Sequence, residues 1–108
     1  MLLDGGHSRR RSVTEWTYAQ TDPANELAKL HFFSMKKRQP SGDVEFIITV
    51  KEHAVAPGSE AMRFVATADK QTNQKTTPFT PSGWGNTLLT ALSDCIRAIH
   101  QFPYEGPE

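Results

Sequence analysis

The segment TLLTALSDCIRAIHQF, residues 87–102, carries the most regular pattern in the chain. Its apolar residues recur at intervals of four and three, which places them along one face of an α-helix. The residues on that face are Leu88, Leu92, Cys95, Ile99 and Phe102. Ser82, Asn86 or Thr87 is expected to cap the start, so the pattern predicts a long C-terminal helix that lies between Pro81 and Pro103.

Upstream of this helix, the segment VEFIITVKEH, residues 44–53, alternates apolar and polar side chains with a period close to two. Such alternation predicts a strand with one fully apolar face. The apolar face consists of Val44, Phe46, Ile48 and Val50. A Pro-Gly turn at residues 57–58 separates this strand from AMRFVATADK, residues 61–70, which alternates in the same way. The two segments therefore predict a β-hairpin.

Four other segments give weaker signals. KTTPFT, residues 75–80, predicts a third strand at a sheet edge, because its proline cannot donate to a ladder. DPANELAKL, residues 22–30, predicts a first helix, because an Asp-Pro pair suits a helix start. Residues 31–36 fit either more helix or the beginning of a strand, and SVTEWTYA, residues 12–19, fits a short edge strand.

Together these elements predict an α+β fold in α-β-β-β-α order, in which the helix covers one face of a three-stranded or four-stranded antiparallel sheet. A single domain over residues 13–103, with a flexible basic arm at 1–12 and a tail at 104–108, suits a chain of 108 residues. The apolar fraction of 37% predicts a thin core. Its expected members are Phe46, Ile48, Phe64, Leu88, Leu92, Cys95, Ile96 and Ile99.

Charge is balanced over the whole chain but uneven along it. Twelve basic and twelve acidic side chains cancel, so the molecule as a whole exerts no long-range attraction on nucleic acid or on an anionic membrane. Residues 1–40 carry seven basic and four acidic side chains, whereas residues 41–108 carry five and eight. Any preference for phosphates is therefore local. The candidate nucleic-acid contacts are Arg9, Arg10, Arg11, Lys36, Lys37 and Arg38.

The side chains that usually carry chemistry do not form a recognised motif. The four histidines are more than twenty residues apart, which is not the spacing of zinc ligands. Cys95 falls within an apolar stripe and is expected to be buried and unreactive. The GWG segment, residues 83–85, lacks the pattern of a phosphate-binding loop and is expected to open the helix, with Trp84 packed on the sheet. We therefore expect neither an enzyme nor a cofactor or metal site.

Two further features bear on partners. The segment RRRSV, residues 9–13, matches a pattern favoured by basophilic kinases, in which phosphate would reverse the charge of the arm. The aromatic residues Trp16, Tyr18 and Phe79 are candidates for an interface, and a free sheet edge would suit a homodimer.

We interpret the chain as a binding or regulatory domain, in the first instance a protein-interaction module. The alternative is a weak nucleic-acid binder that uses the basic arm. No segment is apolar enough to span a membrane or to act as a signal peptide. With a single cysteine, this favours a cytoplasmic protein.

The order of elements over residues 22–102 resembles the double-stranded RNA-binding domain. NELAKL, residues 25–30, lies where that family has its first helix, and GWGNTLLTALSDCIRAI, residues 83–99, where it has its second. The resemblance implies duplex RNA binding at the start of the second helix and at the loop of residues 56–59. GNTLLTALSDCIRAI, residues 85–99, is also similar to the helix that follows three strands in HicB-type antitoxin domains.

Overall fold

The computed structural model describes residues 15–106 as a four-stranded antiparallel sheet with an α-helix packed on one face. The strands are β1 (Ala28–Lys37), β2 (Val44–His53), β3 (Phe64–Ala68) and β4 (Ser82–Gly85), and they lie in the sheet in this order. Helix α1 (Leu88–Gln101) follows β4. The α+β class, the antiparallel sheet and the C-terminal helix are thus confirmed, while the α-β-β-β-α order is found only in part.

The hairpin of β2 and β3 forms as its alternation predicts. Ile48 lies opposite Ala68 and Val50 opposite Ala66, so the apolar residues of both strands share the face toward α1. Burial of that face gains hydrophobic free energy, and a slip of one residue would turn the apolar residues of one strand to the opposite face.

Strand β1 occupies the position where a first helix was expected. The Asp22 carboxylate accepts a hydrogen bond from the Ala24 N–H at 3.0 Å, as in a helix cap, but only a 3-10 turn, Pro23–Asn25, follows. Glu26 then adopts a left-handed conformation, with φ 47° and ψ 57°. A left-handed residue cannot continue a right-handed helix, so the chain leaves the turn extended. The prediction of a helix over residues 22–30 is therefore wrong.

The apolar residues of β1 lie on both of its faces. Phe33 and Met35 point toward the α1 side, opposite Ile48 and Phe46, and are partly buried there. Phe32 points to the other side and is exposed. Because both faces mix apolar and polar side chains, the segment has no clear period of two, and its sequence fits a helix as well as a strand. The expected strand at residues 12–19 is also not found where it is described, because Trp16–Ala19 form a 3-10 turn.

The fourth strand comes from the GWG segment. A Cβ atom on Gly83 would lie 2.5 Å from the Ala91 carbonyl oxygen, and one on Gly85 would lie 2.5 Å from Thr90 Cγ2. Helix α1 therefore rests directly on the backbone of β4, and Trp84 points away from it. The prediction that this segment opens the helix, with Trp84 packed on the sheet, is wrong, because the segment is itself a strand and Trp84 is exposed.

The segment KTTPFT, residues 75–80, does not form a strand. It contributes one isolated bridge, between Thr72 and Phe79. Its proline at Pro78 and the following Pro81 interrupt any longer ladder, since neither residue has an N–H to donate.

Helix α1 begins and ends close to the predicted limits. Of the three candidate caps, Thr87 is the one used: its Oγ1 accepts a hydrogen bond from the Thr90 N–H at 3.1 Å. The helix ends at Gln101, where Phe102 turns extended just before Pro103.

The core lies between α1 and the sheet. Phe46, Ile48, Cys95 and Ile99 are fully buried, as predicted. The other four expected members are partly buried and pack against this cluster. They are Phe64, Leu88, Leu92 and Ile96. Small residues such as Ala91 at the helix surface let α1 approach closely, which keeps the core thin.

The start of the predicted tail is packed against the domain. The Tyr104 ring meets Phe46 edge-on, with ring centroids 6.0 Å apart. The Tyr104 N–H donates to Gln39 Oε1 at 2.9 Å, and Gln39 Nε2 donates to the Tyr104 carbonyl at 3.1 Å. Residues 104–106 therefore belong to the fold, and residues 107–108 lie outside the described part.

Candidate binding surface

The side of the sheet that points away from α1 presents a set of outward side chains that we call the open face. The strand registers define it. Leu30 on β1 lies opposite Lys51 on β2. Lys51 lies opposite Val65, which in turn lies opposite Trp84 on β4. The open face consists of Ala28, Leu30, Phe32, Ser34 and Lys36 on β1, Glu45, Ile47, Thr49, Lys51 and His53 on β2, Val65 and Thr67 on β3, and Ser82 and Trp84 on β4.

Much of the open face is apolar and exposed. Among the described residues, four of the exposed large hydrophobic side chains belong to it: Leu30, Phe32, Ile47 and Trp84. Phe32 is 64% exposed and Trp84 is 51% exposed. Single apolar side chains at a surface are ordinary, but several on one face of a sheet indicate an interaction surface.

At one end of the open face, each positive side chain has a negative side chain beside it. Lys36 lies opposite Glu45, and Asp69 pairs with Lys70 at 3.0 Å. The other end carries Lys51, an exposed cation that lies between apolar neighbours on β1 and β3. A ligand that covers this end must therefore accommodate one positive charge within an apolar surround.

Lys37, predicted to contact phosphates, faces the interior. Its Nζ donates to the carbonyl oxygens of Ile99, at 2.8 Å, and Phe102, at 2.7 Å. The ammonium therefore satisfies carbonyls at the C-terminal end of α1, where the helix dipole favours a positive charge. Burial lowers the pKa of Lys37 from its ordinary value of 10.5. This placement corrects the prediction, because a side chain so engaged cannot reach a phosphate outside.

The rest of the predicted basic cluster is divided. Lys36 and Arg38 are exposed, Lys36 at the end of β1 and Arg38 in the loop after it. The predicted contacts at residues 9–11, the kinase pattern at residues 9–13 and the first three residues of the expected edge strand at residues 12–19 lie outside the described residues.

The predicted aromatic interface does not form one surface. Tyr18 is 81% exposed, whereas Trp16 is half-buried, and its indole N–H is buried without an acceptor in the described range. Phe79 packs against Phe102 instead, with ring centroids 5.4 Å apart. Within residues 15–106, no ring contact joins Phe79 to Trp16 or Tyr18.

Cys95 is buried, as predicted. Its Sγ donates to the Pro81 carbonyl at 3.6 Å, and burial raises the pKa of the thiol to about 11. A thiol with so high a pKa carries little thiolate at neutral pH and is a poor nucleophile.

Two other features bring polar or charged side chains close together. His31 Nε2 and Glu52 Oε1 lie 2.9 Å apart, but no further side-chain hydrogen bond reaches either group from the described residues. A groove of about 560 Å³ between the β1–β2 loop and residues 103–106 is lined partly by Asp43, Lys75 and Glu105. Across residues 15–106, no group of three or more His, Cys, Asp or Glu side chains could hold a metal ion.

Comparison with known protein families, curated proteins and solved structures finds no match. The resemblances to the double-stranded RNA-binding domain and to HicB-type antitoxins therefore stay predictions. No helix in the described range has the length and apolar character needed to cross a membrane.

Sequence reasoning missed the open face as a unit. The alternation of β2 separates Ile47, Thr49 and Lys51 from the apolar side, and this signal was present in the sequence. The contributions of Leu30 and Trp84 become visible only once β1 and β4 are recognised as strands, because each segment was expected to be helical.

Proposed function

We propose that this chain is a small, non-enzymatic binding domain that docks a protein partner on the open face. The observation that carries the proposal is the concentration of exposed Leu30, Phe32, Ile47 and Trp84 on one face of the sheet. The opposite face already buries its apolar side chains beneath α1, so the open face is the side of the sheet left for a partner.

The chemistry of the open face favours a protein segment with an apolar stripe and an acidic side chain. The aliphatic residues Leu30, Ile47 and Val65 offer area for burial, whereas they give a nucleic acid neither charge nor hydrogen bonds. Lys51 lies within the apolar end, and a carboxylate from the partner would compensate its desolvation on binding. An amphipathic helix with one acidic residue on its apolar side has this chemistry.

Single-stranded nucleic acid is the second candidate, favoured by one observation. Phe32 and Trp84 are exposed aromatics on the same face, and Lys36 and Lys51 lie on that face too. Aromatic rings on a sheet can stack bases while lysines contact phosphates. Because Lys37 is internal, five of the six predicted basic contacts remain, which would give a log–log salt slope of about −3.5 on a single strand.

Two experiments on the whole chain test these candidates, with variants that alter different surfaces. The first is capture of proteins from a cell lysate. Ile47→Ser and Trp84→Ser remove apolar area from the open face. Leu89→Ser is the matched control, because Leu89 is 72% exposed on α1. The proposal predicts a protein that is retained by the wild type and by Leu89→Ser but lost with both open-face variants.

Titration of a single-stranded oligonucleotide across a salt series provides the second arm. Binding that weakens steeply with salt and is lost in Trp84→Ser would support the nucleic-acid candidate and contradict the first. Equal capture and equal binding by all three variants would contradict both. A cytoplasmic location is part of the proposal and is supported by the single cysteine.

A further inference from the structure

Strand β1 leaves a long row of backbone groups without partners in the described chain. The Ala54 N–H donates to the Leu27 carbonyl. Because hydrogen-bonded pairs alternate along an antiparallel ladder, this bond shows that the odd-numbered residues of β1 bond to β2. The even-numbered residues direct their N–H and C=O groups away from the sheet. They are Ala28, Leu30, Phe32, Ser34 and Lys36. No other residue in the range 15–106 makes a hydrogen bond to these outward groups.

This edge lacks most of the features that usually prevent pairing, and its lysines lie toward the two ends, at Lys29, Lys36 and Lys37. It is ten residues long, it contains no proline, and its register with β2 runs through without a bulge. Its side chains at Leu30 and Phe32 are apolar and exposed. The opposite edge of the sheet, β4, is only four residues long and follows Pro81 directly. The unprotected edge of the sheet is therefore β1.

We infer that a second copy of this chain pairs with β1, strand against strand, in antiparallel orientation centred on Phe32. This register places Phe32 opposite Phe32 of the second copy, Leu30 opposite Ser34, and Ala28 opposite Lys36. All five outward-facing residues of each copy then bond across the edge, which makes roughly ten backbone hydrogen bonds. The result is a continuous eight-stranded sheet with two-fold symmetry.

The side chains favour the same register. With Phe32 at the centre, Lys29 faces Met35, so that no lysine meets another lysine, and the two Phe32 rings meet as a cross-strand aromatic pair. A shift of two residues in one direction would set Lys29 opposite Lys37, and a shift in either direction would lose one pair of bonded residues. The centred register therefore satisfies the most backbone groups without a like-charge contact.

This interaction uses the edge of the sheet and does not depend on what the open face binds. The dimer would join the two open faces side by side, because both lie on the same side of the extended sheet. Its failure and the failure of the proposed function are distinguishable, because the edge and Trp84 lie on different strands.

Disulfide trapping tests the register in the whole chain. In Phe32→Cys the two introduced thiols would lie on the symmetry axis, with Cα atoms about 5.5 Å apart, which a disulfide can span. The native thiol is buried and does not compete. Ser34→Cys is the matched control, because its two copies would be on the order of 13 Å apart along the strands, beyond the reach of a disulfide. We expect covalent dimer from Phe32→Cys under mild oxidation and at least ten-fold less from Ser34→Cys.

Sedimentation analysis of a proline variant tests the edge itself. Ser34→Pro removes an outward N–H and leaves the β1–β2 ladder intact, while Ser34→Ala removes only the hydroxyl that donates to Glu45. Ser34→Pro should weaken dimerisation at least ten-fold, whereas Ser34→Ala and Trp84→Ser should dimerise as the wild type does. If Ser34→Pro does not fold, the trapping experiment decides.

Three results would overturn the inference. They are a wild type that stays monomeric at several hundred micromolar, equal trapping of the two cysteine variants, and protection of the Phe32 amide from hydrogen exchange that is independent of protein concentration. The last would show that the edge is paired within a single chain.

Discussion

Replacement of Lys37 by methionine should lower the free energy of unfolding by about 2 to 3 kcal/mol. The side chain is buried, and its ammonium donates to the carbonyls of Ile99 and Phe102. A buried acceptor left without a partner costs about 1 to 3 kcal/mol. Two acceptors are lost here, but water can reach the partly buried Phe102 carbonyl, and methionine avoids the cost of burying a charge. The expected loss therefore lies in the lower half of the range of about 2 to 6 kcal/mol that two full penalties would give.

Lys36→Met is the matched control for this prediction. Lys36 is the preceding residue on the same strand, is exposed, and points to the open face. Both substitutions remove one positive charge and add the same apolar group, so a difference between them reports the contacts of Lys37. Lys36→Met should change stability by less than about 0.5 kcal/mol. Urea unfolding followed by circular dichroism gives both values, provided that the slope with denaturant is unchanged.

The pH dependence of the same comparison adds a second check. Burial lowers the pKa of Lys37 below 10.5 in the folded chain, so over the range from that lowered pKa up to 10.5 the unfolded chain binds more protons. The free energy of unfolding of the wild type should therefore rise with pH in this range, relative to Lys37→Met. Equal stabilities of the Lys37 and Lys36 variants at neutral pH would refute the capping role, and a difference that falls over this range would refute the effect of burial.

Three more predictions concern the packing of α1. Gly83→Ala should lower the free energy of unfolding by about 1 to 3 kcal/mol, because its Cβ would lie 2.5 Å from the Ala91 carbonyl oxygen; wild-type stability in urea would show that the helix is farther from β4. Ile99→Ala should cost about 2 to 5 kcal/mol in the same assay, whereas Leu89→Ala should stay within about 0.5, since only Ile99 is buried. The Cys95 thiol, whose pKa burial raises to about 11, should react with a thiol reagent far more slowly in the native chain than in denaturant, and equal rates would contradict its burial.

The sequence by itself determined the β2–β3 hairpin and helix α1. Both depend on a local pattern: period two in residues 44–53, and spacings of three and four in residues 88–102. One face of each element is apolar and the other polar, so the pattern shows both the type of element and the side that is buried. The burial of Cys95 followed from the same stripe.

Only the tertiary structure decided the identity of β1 and β4, and with them the open face. In β1 both faces carry apolar residues, so its period is hidden, and its extended form depends on pairing with β2. In β4 the inward positions are Gly83 and Gly85, which have no side chain to show a period; their role appears only when α1 rests on them. The sequence alone predicts that Lys37 is a surface cation, and only the tertiary structure shows that α1 ends beside it. Each of these features depends on a neighbour that is distant in the sequence, and a local pattern cannot specify such a neighbour.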